Sequence, residues 1–193
     1  MTAAVVQGMP IAPRGMHIGV DRSGVAHYWM REPGDAAGLP TDHVERKRTL
    51  VTLYAAWIAE KRFYPNCASA GWLRDRAKIE SLLDELHPND FVAKQSTAQD
   101  LLRRAEKLVG KFYPVIEALA KVLLGKPVRA LPPEELHTAP IWTGLTDGRS
   151  MTGHEIAAFY NELLPEAKAE VRDPNRGTFD SSTKLPLFDI FAL

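Results

Sequence analysis

Residues 50–63 read Leu-Val-Thr-Leu-Tyr-Ala-Ala-Trp-Ile-Ala-Glu-Lys-Arg-Phe, and this stretch decides the fold. Apolar side chains occupy nearly every position from 50 to 59, so they would surround a helix on all sides. A helix that is apolar all round is typical of a core, whereas a surface helix keeps a polar face. Asp42 and Glu45 have the spacing of a capping box, and Tyr64-Pro65-Asn66 is a stop signal. We therefore predict a central buried helix that begins near Asp42.

The segment after this helix also has helical periodicity. Residues 72–86 carry apolar side chains that recur on one face, namely Ile79, Leu82, Leu83 and Leu86. Asp75 precedes Ile79 by four residues, which predicts that it points to the same inward face. The sequence His87-Pro88-Asn89-Asp90 ends this second helix.

The rest of the chain is mostly helical as well. Helical periodicity continues through residues 96–112, and Pro114 is suited to open a further helix, so this region is either one kinked helix or two in sequence. Residues 125–150 are rich in Gly and Pro and are predicted to form a linker. Thr152 and Glu155 then form a second capping box ahead of a last helix.

A small sheet is predicted near the N-terminus. Residues 16–20 and 25–30 are short and β-prone, and Asp21-Arg22-Ser23-Gly24 between them is turn chemistry. The predicted fold class is therefore mainly α, formally α+β, with a small N-terminal β-hairpin.

Composition excludes several classes of protein. The chain has 193 residues, with 24 Lys and Arg against 24 Asp and Glu, so no net field favours nucleic acid or an anionic membrane. Cys67 is the only cysteine, which rules out an intrachain disulfide and a cysteine-rich zinc site. No signal peptide or apolar run of the ~20 residues needed for a membrane span occurs in these residues. We expect a cytoplasmic protein without a membrane anchor in this chain.

Generic catalytic motifs do not identify a function, but the order of four less common pieces resembles that of a known family. These pieces are residues 53–61 on the central helix, residues 75–79 on the next helix, an Ala-x-x-Leu-Leu helical pair, and Met-Thr-Gly-His-Glu-Ile at residues 151–156. This order resembles the peptidase domain of the FtsH-type zinc metallopeptidases. The likeness spans roughly residues 4–163 and comes from order and spacing, because each motif is degenerate.

The resemblance implies roles for two acidic residues. Leu53, Ala55, Ala56, Ala59 and Glu60 fall on the family's Leu-x-Gly-Gly-x-x-Ala-Glu-Glu pattern, with Ala for both Gly and with Lys61 for the second Glu. Asp75 matches the Asp that supplies the family's third zinc ligand. Glu60 is then expected to hydrogen-bond a zinc ligand and orient it, and a structural ion pair with an Arg is equally compatible with its position. Without the resemblance, Asp75 would be a first-turn acid stabilised by the helix dipole and paired with Arg74 or Arg76.

The resemblance also implies a substrate site on the hairpin. His17, Ile18, Gly19 and Val20 match the family's edge strand, which receives an extended peptide by strand addition. An ordinary sheet edge without a ligand is the alternative.

The main departure from the family concerns the catalytic helix. Residues 3–8 (Ala-Ala-Val-Val-Gln-Gly) look like the end of the family's His-Glu-x-x-His helix, so both His ligands and the general-base Glu would lie immediately before Met1. Catalytic zinc needs about three protein ligands and a neighbouring base. We therefore expect zinc in the intact family form, but neither bound zinc nor peptide hydrolysis for residues 1–193 alone.

Two main hypotheses follow from these observations. In the first, the chain is most of an FtsH-like zinc endopeptidase domain. That domain is predicted over residues 1–163, and residues 164–193 are predicted to be a polar tail with an apolar C-terminus. The second is a non-catalytic helical module that binds a peptide or protein, and a purely structural subunit is a weaker third possibility. In each case the expected partner is a polypeptide, and the apolar surface left without the catalytic helix predicts self-association.

Overall fold

The structure is a computed structural model that describes residues 1–19, 24–28, 43–63, 65, 70–130 and 147–171. Most of these residues are helical, and a small antiparallel sheet accompanies them, which confirms the predicted mainly α (α+β) class. In chain order the elements are α1 (Thr2–Val6), β1 (Ile11–Gly19), β2 (Gly24–Tyr28), α2 (His43–Phe63), α3 (Ala70–Leu86), α4 (Phe91–Gly125), β3 (Arg129–Ala130), β4 (Asp147–Met151) and α5 (Gly153–Leu163).

The described residues belong to two compact units. Unit 1 takes its residues from Met1–Trp29 and Pro114–Phe188, and unit 2 from Met30–Tyr113 and Asp189–Leu193. Unit 1 therefore holds the sheet together with α1 and α5, whereas α2 and α3 lie in unit 2. The predicted boundary between residues 163 and 164 stays a prediction, although Leu164, Ala167 and Val171 pack against the unit 1 core.

The sheet of unit 1 confirms the hairpin and adds strands that the sequence did not predict. The strand order is β2-β1-β4-β3, with β1 antiparallel to both β2 and β4. The prediction of a linker over residues 125–150 is wrong at Arg129–Ala130, which form β3, and at residues 147–150 of β4, where Gly148, Arg149 and Ser150 pair with β1. Asp147-Gly-Arg-Ser lacks apolar alternation, and strand propensity depends on the neighbouring strand more than on the residues themselves. Residues 131–146 lie outside the described part.

The core of unit 1 forms where α5 packs on β1. Thr152 accepts the backbone N–H of Glu155, and the Glu155 carboxylate accepts the backbone N–H of Thr152, so the predicted capping box is confirmed. The buried residues of this core come from α1, β1, α4, β4 and α5. They are Val5, Ile11, Leu119, Leu123, Met151, Ile156, Ala157 and Tyr160.

In unit 2, helix α2 is fully buried along only about a third of its length. Its boundaries agree with the prediction, and residues 49–55 are buried. The prediction of burial through the whole helix is wrong, because Ala56 is exposed and Phe63 retains 45% of its accessible surface. Phe63 instead stacks on Tyr113 of α4, with ring centroids 5.4 Å apart. Apolar composition does not determine which turns of a helix meet another element.

Helix α3 follows the predicted pattern and packs on α2. The four apolar residues predicted for its inner face, Ile79, Leu82, Leu83 and Leu86, are all buried. An ion pair between Arg46 and Glu85 at 2.9 Å also joins the two helices.

Helix α4 resolves an alternative that the sequence leaves open. It is one helix of 35 residues with Pro114 inside it. Proline has no N–H for the preceding turn and costs roughly 3 kcal/mol within a helix, and the division between the two units falls at this residue. The helix begins at Phe91, five residues earlier than its periodicity indicates, because Asp90 accepts the N–H of Ala93 at 2.9 Å as an N-cap.

Candidate functional site

Asp75 lies on α3 and is half-buried. Its expected position as a first-turn acid is wrong, because α3 begins at Ala70 and has no acidic residue in its first turn. Arg76, one of its two expected partners, pairs instead with Glu80 at 3.0 Å. Lys78 is a charged neighbour of Asp75: burial lowers the pKa of the Lys78 ammonium, and the charge of Asp75 opposes that shift. A metal ligand role for Asp75 stays a prediction.

Glu60 lies near the end of α2 and is half-buried. The sequence places it on a fully buried apolar helix, but the turns around it are partly exposed. A carboxylate in this setting keeps part of its hydration, so its position alone does not demand a buried cationic partner. Both predicted roles of Glu60, orienting a zinc ligand and forming a structural ion pair, remain predictions.

The predicted substrate residues lie on an inner strand. His17 pairs with Val25 of β2 and with Ser150 of β4, and Ile18 likewise has a partner on each side. Gly19 pairs with Gly148, whereas Val20 lies outside the described residues. Strand addition needs an unpaired backbone edge, so a peptide could join the described strands only beside β2 or β3. Any contact of a substrate with His17 or Ile18 would have to use side chains.

The side chains of β1 divide between the two faces of the sheet. Met16 and Ile18 pack against the unit 1 core, so His17 points to the opposite face, where it is only 5% exposed. Ser150 shares that face as the cross-strand partner of His17, and its hydroxyl accepts a hydrogen bond of 2.6 Å from Arg129. The result is a polar cluster with little exposure at its centre.

The burial of helix α1 is a feature that residue patterns do not predict. All five of its residues are buried, and so is the α-amino group of Met1. Burial lowers the pKa of that amine from its usual 8.0 to about 6. The side chain of Thr2 shares a hydrogen bond of 2.7 Å with the hydroxyl of Tyr160 on α5, also buried. The apolar run Ala3–Val6 was the available signal for this burial, but it is too short to separate a core segment from a loop.

We expect the Thr2–Tyr160 hydrogen bond to hold α1 in the core. Either Thr2→Val or Tyr160→Phe should lower the free energy of unfolding by about 1–3 kcal/mol, because each leaves a buried hydroxyl without its partner. The double variant should lose less than the sum of the two, since it leaves neither hydroxyl unpaired. Urea unfolding followed by circular dichroism measures all four proteins. Strict additivity would show that the two side chains do not interact.

The described residues do not supply a zinc site by themselves. None of their His, Cys, Asp and Glu side chains forms a group of three or more that could hold a metal ion. Catalytic zinc takes about three protein ligands, and the cation at Lys78 opposes a second positive charge beside Asp75.

Comparisons with known proteins add no identification. No protein family, characterised protein or solved structure matches the chain. Among the described helices, none is both long enough and apolar enough to cross a membrane.

Proposed function

We propose that this chain forms the body of an FtsH-type zinc endopeptidase domain and that its residues do not hydrolyse peptides without a His-Glu-x-x-His helix preceding Met1. In this proposal Asp75 is the zinc ligand that the chain contributes, and Glu60 orients a ligand. The substrate is an extended polypeptide, and the protein acts in the cytoplasm, where a single unpaired cysteine such as Cys67 stays reduced.

The observation that carries the proposal is the burial of α1 with its amino group. An isolated five-residue helix is too short to be stable in water, yet every residue of α1 is buried and Thr2 is hydrogen-bonded to Tyr160. A buried ammonium group is unfavourable, whereas a peptide amide that continues a helix keeps its hydrogen bonds. This arrangement fits the last turn of a longer helix that leads into a hairpin, as the resemblance requires.

The order of the elements supports the same proposal. A helix end, a hairpin, the helix with Glu60, the helix with Asp75, a long helix and a capped last helix follow one another as in the sequence resemblance. The strand β4 between the last two helices was not expected from that resemblance.

The first experiment reads the gene in frame upstream of the Met1 codon and measures the intact mass of the native protein. The proposal expects His-Glu-x-x-His codons there and a mass larger than 21.4 kDa. The longer protein should bind about one zinc ion per chain and cleave unfolded casein. Asp75→Ala in that protein should reduce cleavage more than about 100-fold, because removing a zinc ligand lowers activity more than removing a group that hydrogen-bonds to a ligand.

Asp100→Ala is the matched control. Asp100 is also a helical acid in unit 2, and its partner is Arg103, 2.6 Å away on the surface. This variant should keep full zinc content and activity. An in-frame stop codon with a native mass of 21.4 kDa would overturn the proposal, as would normal zinc binding by Asp75→Ala.

A non-catalytic binding module is the second candidate, and exposed apolar residues favour it. Phe91 and Val92, adjacent at the start of α4, retain 75% and 77% of their accessible surface, and Leu73 retains 67%. A contiguous exposed apolar patch marks a surface that contacts another protein, and Phe91 and Val92 would form the centre of such a patch. A second copy of the chain is the partner we test first, because self-association needs no other component.

We expect Phe91→Ser with Val92→Ser to weaken self-association at least tenfold. Burying a Phe or a Val side chain contributes roughly 1.5–3 kcal/mol, and about 1.4 kcal/mol is already a factor of ten in a dissociation constant. Sedimentation equilibrium of the purified chain measures the constant. Val128→Ser, which changes a valine that is 47% exposed in unit 1, is the control and should leave it unchanged. Equal dissociation constants for the double variant and the unmodified chain would exclude this surface.

A further inference from the structure

We draw no further inference here: the strongest candidate, the polar cluster of His17, Ser150 and Arg129 on the sheet face turned away from the unit 1 core, already has hydrogen-bond partners within the chain, and nothing in the described residues shows what covers it.

Discussion

Replacing Gly15 with alanine is expected to lower the free energy of unfolding of unit 1 by about 3 kcal/mol or more. Gly15 lies in β1 with φ at 68°, a left-handed conformation that costs other residues about 1–2 kcal/mol. A Cβ at this position would also lie 2.6 Å from the carbonyl carbon of Thr152 and 2.7 Å from the nitrogen of Gly153. These are backbone atoms at the start of α5, so they cannot move aside as a flexible side chain would.

The close approach of β1 and α5 involves a glycine on each side. A Cβ on Gly153 would lie 3.1 Å from the Cα of Pro13 in β1. Strand β1 is irregular between Ile11 and Met16, and this irregularity lies where α5 begins. The two glycines therefore let the strand and the helix meet backbone to backbone.

Thermal and urea unfolding of the variants test this expectation. Gly125→Ala is the control, because Gly125 is also in unit 1 but has open space around it. It should change the free energy of unfolding by less than about 1 kcal/mol. We expect this change to be an increase, because alanine has a higher helix propensity than glycine. Gly15→Ala should lower Tm by roughly 10 °C, at about 2–4 °C per kcal/mol for a chain of this size. Equal Tm values for the two variants would contradict the backbone contact.

The second large effect is a gain of stability with rising pH that originates in the Met1 amine. Its pKa is about 6 in the folded protein and 8.0 when exposed. Between these values the unfolded chain binds more protons than the folded one, so stability rises with pH through this window and is lost as the pH falls. A difference of two pKa units corresponds to about 3 kcal/mol, gained in full between pH 5 and pH 9.

A chain without the amine isolates this contribution from that of the histidines. Cys67 is the only cysteine, so a synthetic N-terminal segment that lacks the α-amino group can be ligated there without further sequence changes. Between pH 5 and pH 9, the unfolding free energy of the unmodified chain should rise by about 3 kcal/mol more than that of the chain without the amine. The unmodified chain must retain Met1 for this comparison. The same pH profile for both chains would show that the amine is hydrated in the folded state and would remove the main support for a longer helix.

Local signals predicted several elements accurately because neighbouring residues alone set them. The capping box of Thr152 and Glu155 and the stop after Phe63 involve hydrogen bonds or steric limits within a few residues. The inner face of α3 follows from helical spacing and was predicted residue by residue. Asp90 as the N-cap of α4 is a local signal of the same kind, although the sequence His87-Pro88-Asn89-Asp90 predicts only the end of α3.

The candidate site was less predictable because its features depend on contacts distant in sequence. Nothing near His17 or Ile18 indicates that β4, more than 100 residues later, takes the second edge of β1. Asp75 is half-buried on α3, and its interaction with the charge of Lys78 does not follow from the sequence, since several basic residues lie within reach along one helix.

By itself, the sequence of this protein determined the helical class, the start of the last helix and the apolar face of α3, because helix periodicity and capping are local. Only the tertiary structure decided that α2 is buried only over residues 49–55, that β1 is an inner strand and that α1 lies in a core. Burial and strand pairing depend on which segments, distant in sequence, come into contact. The free energy gained by removing apolar groups from water depends on how much apolar surface is buried and not on which residues provide it. For the same reason the close approach of β1 and α5, which no local pattern indicates, makes Gly15 and Gly153 critical.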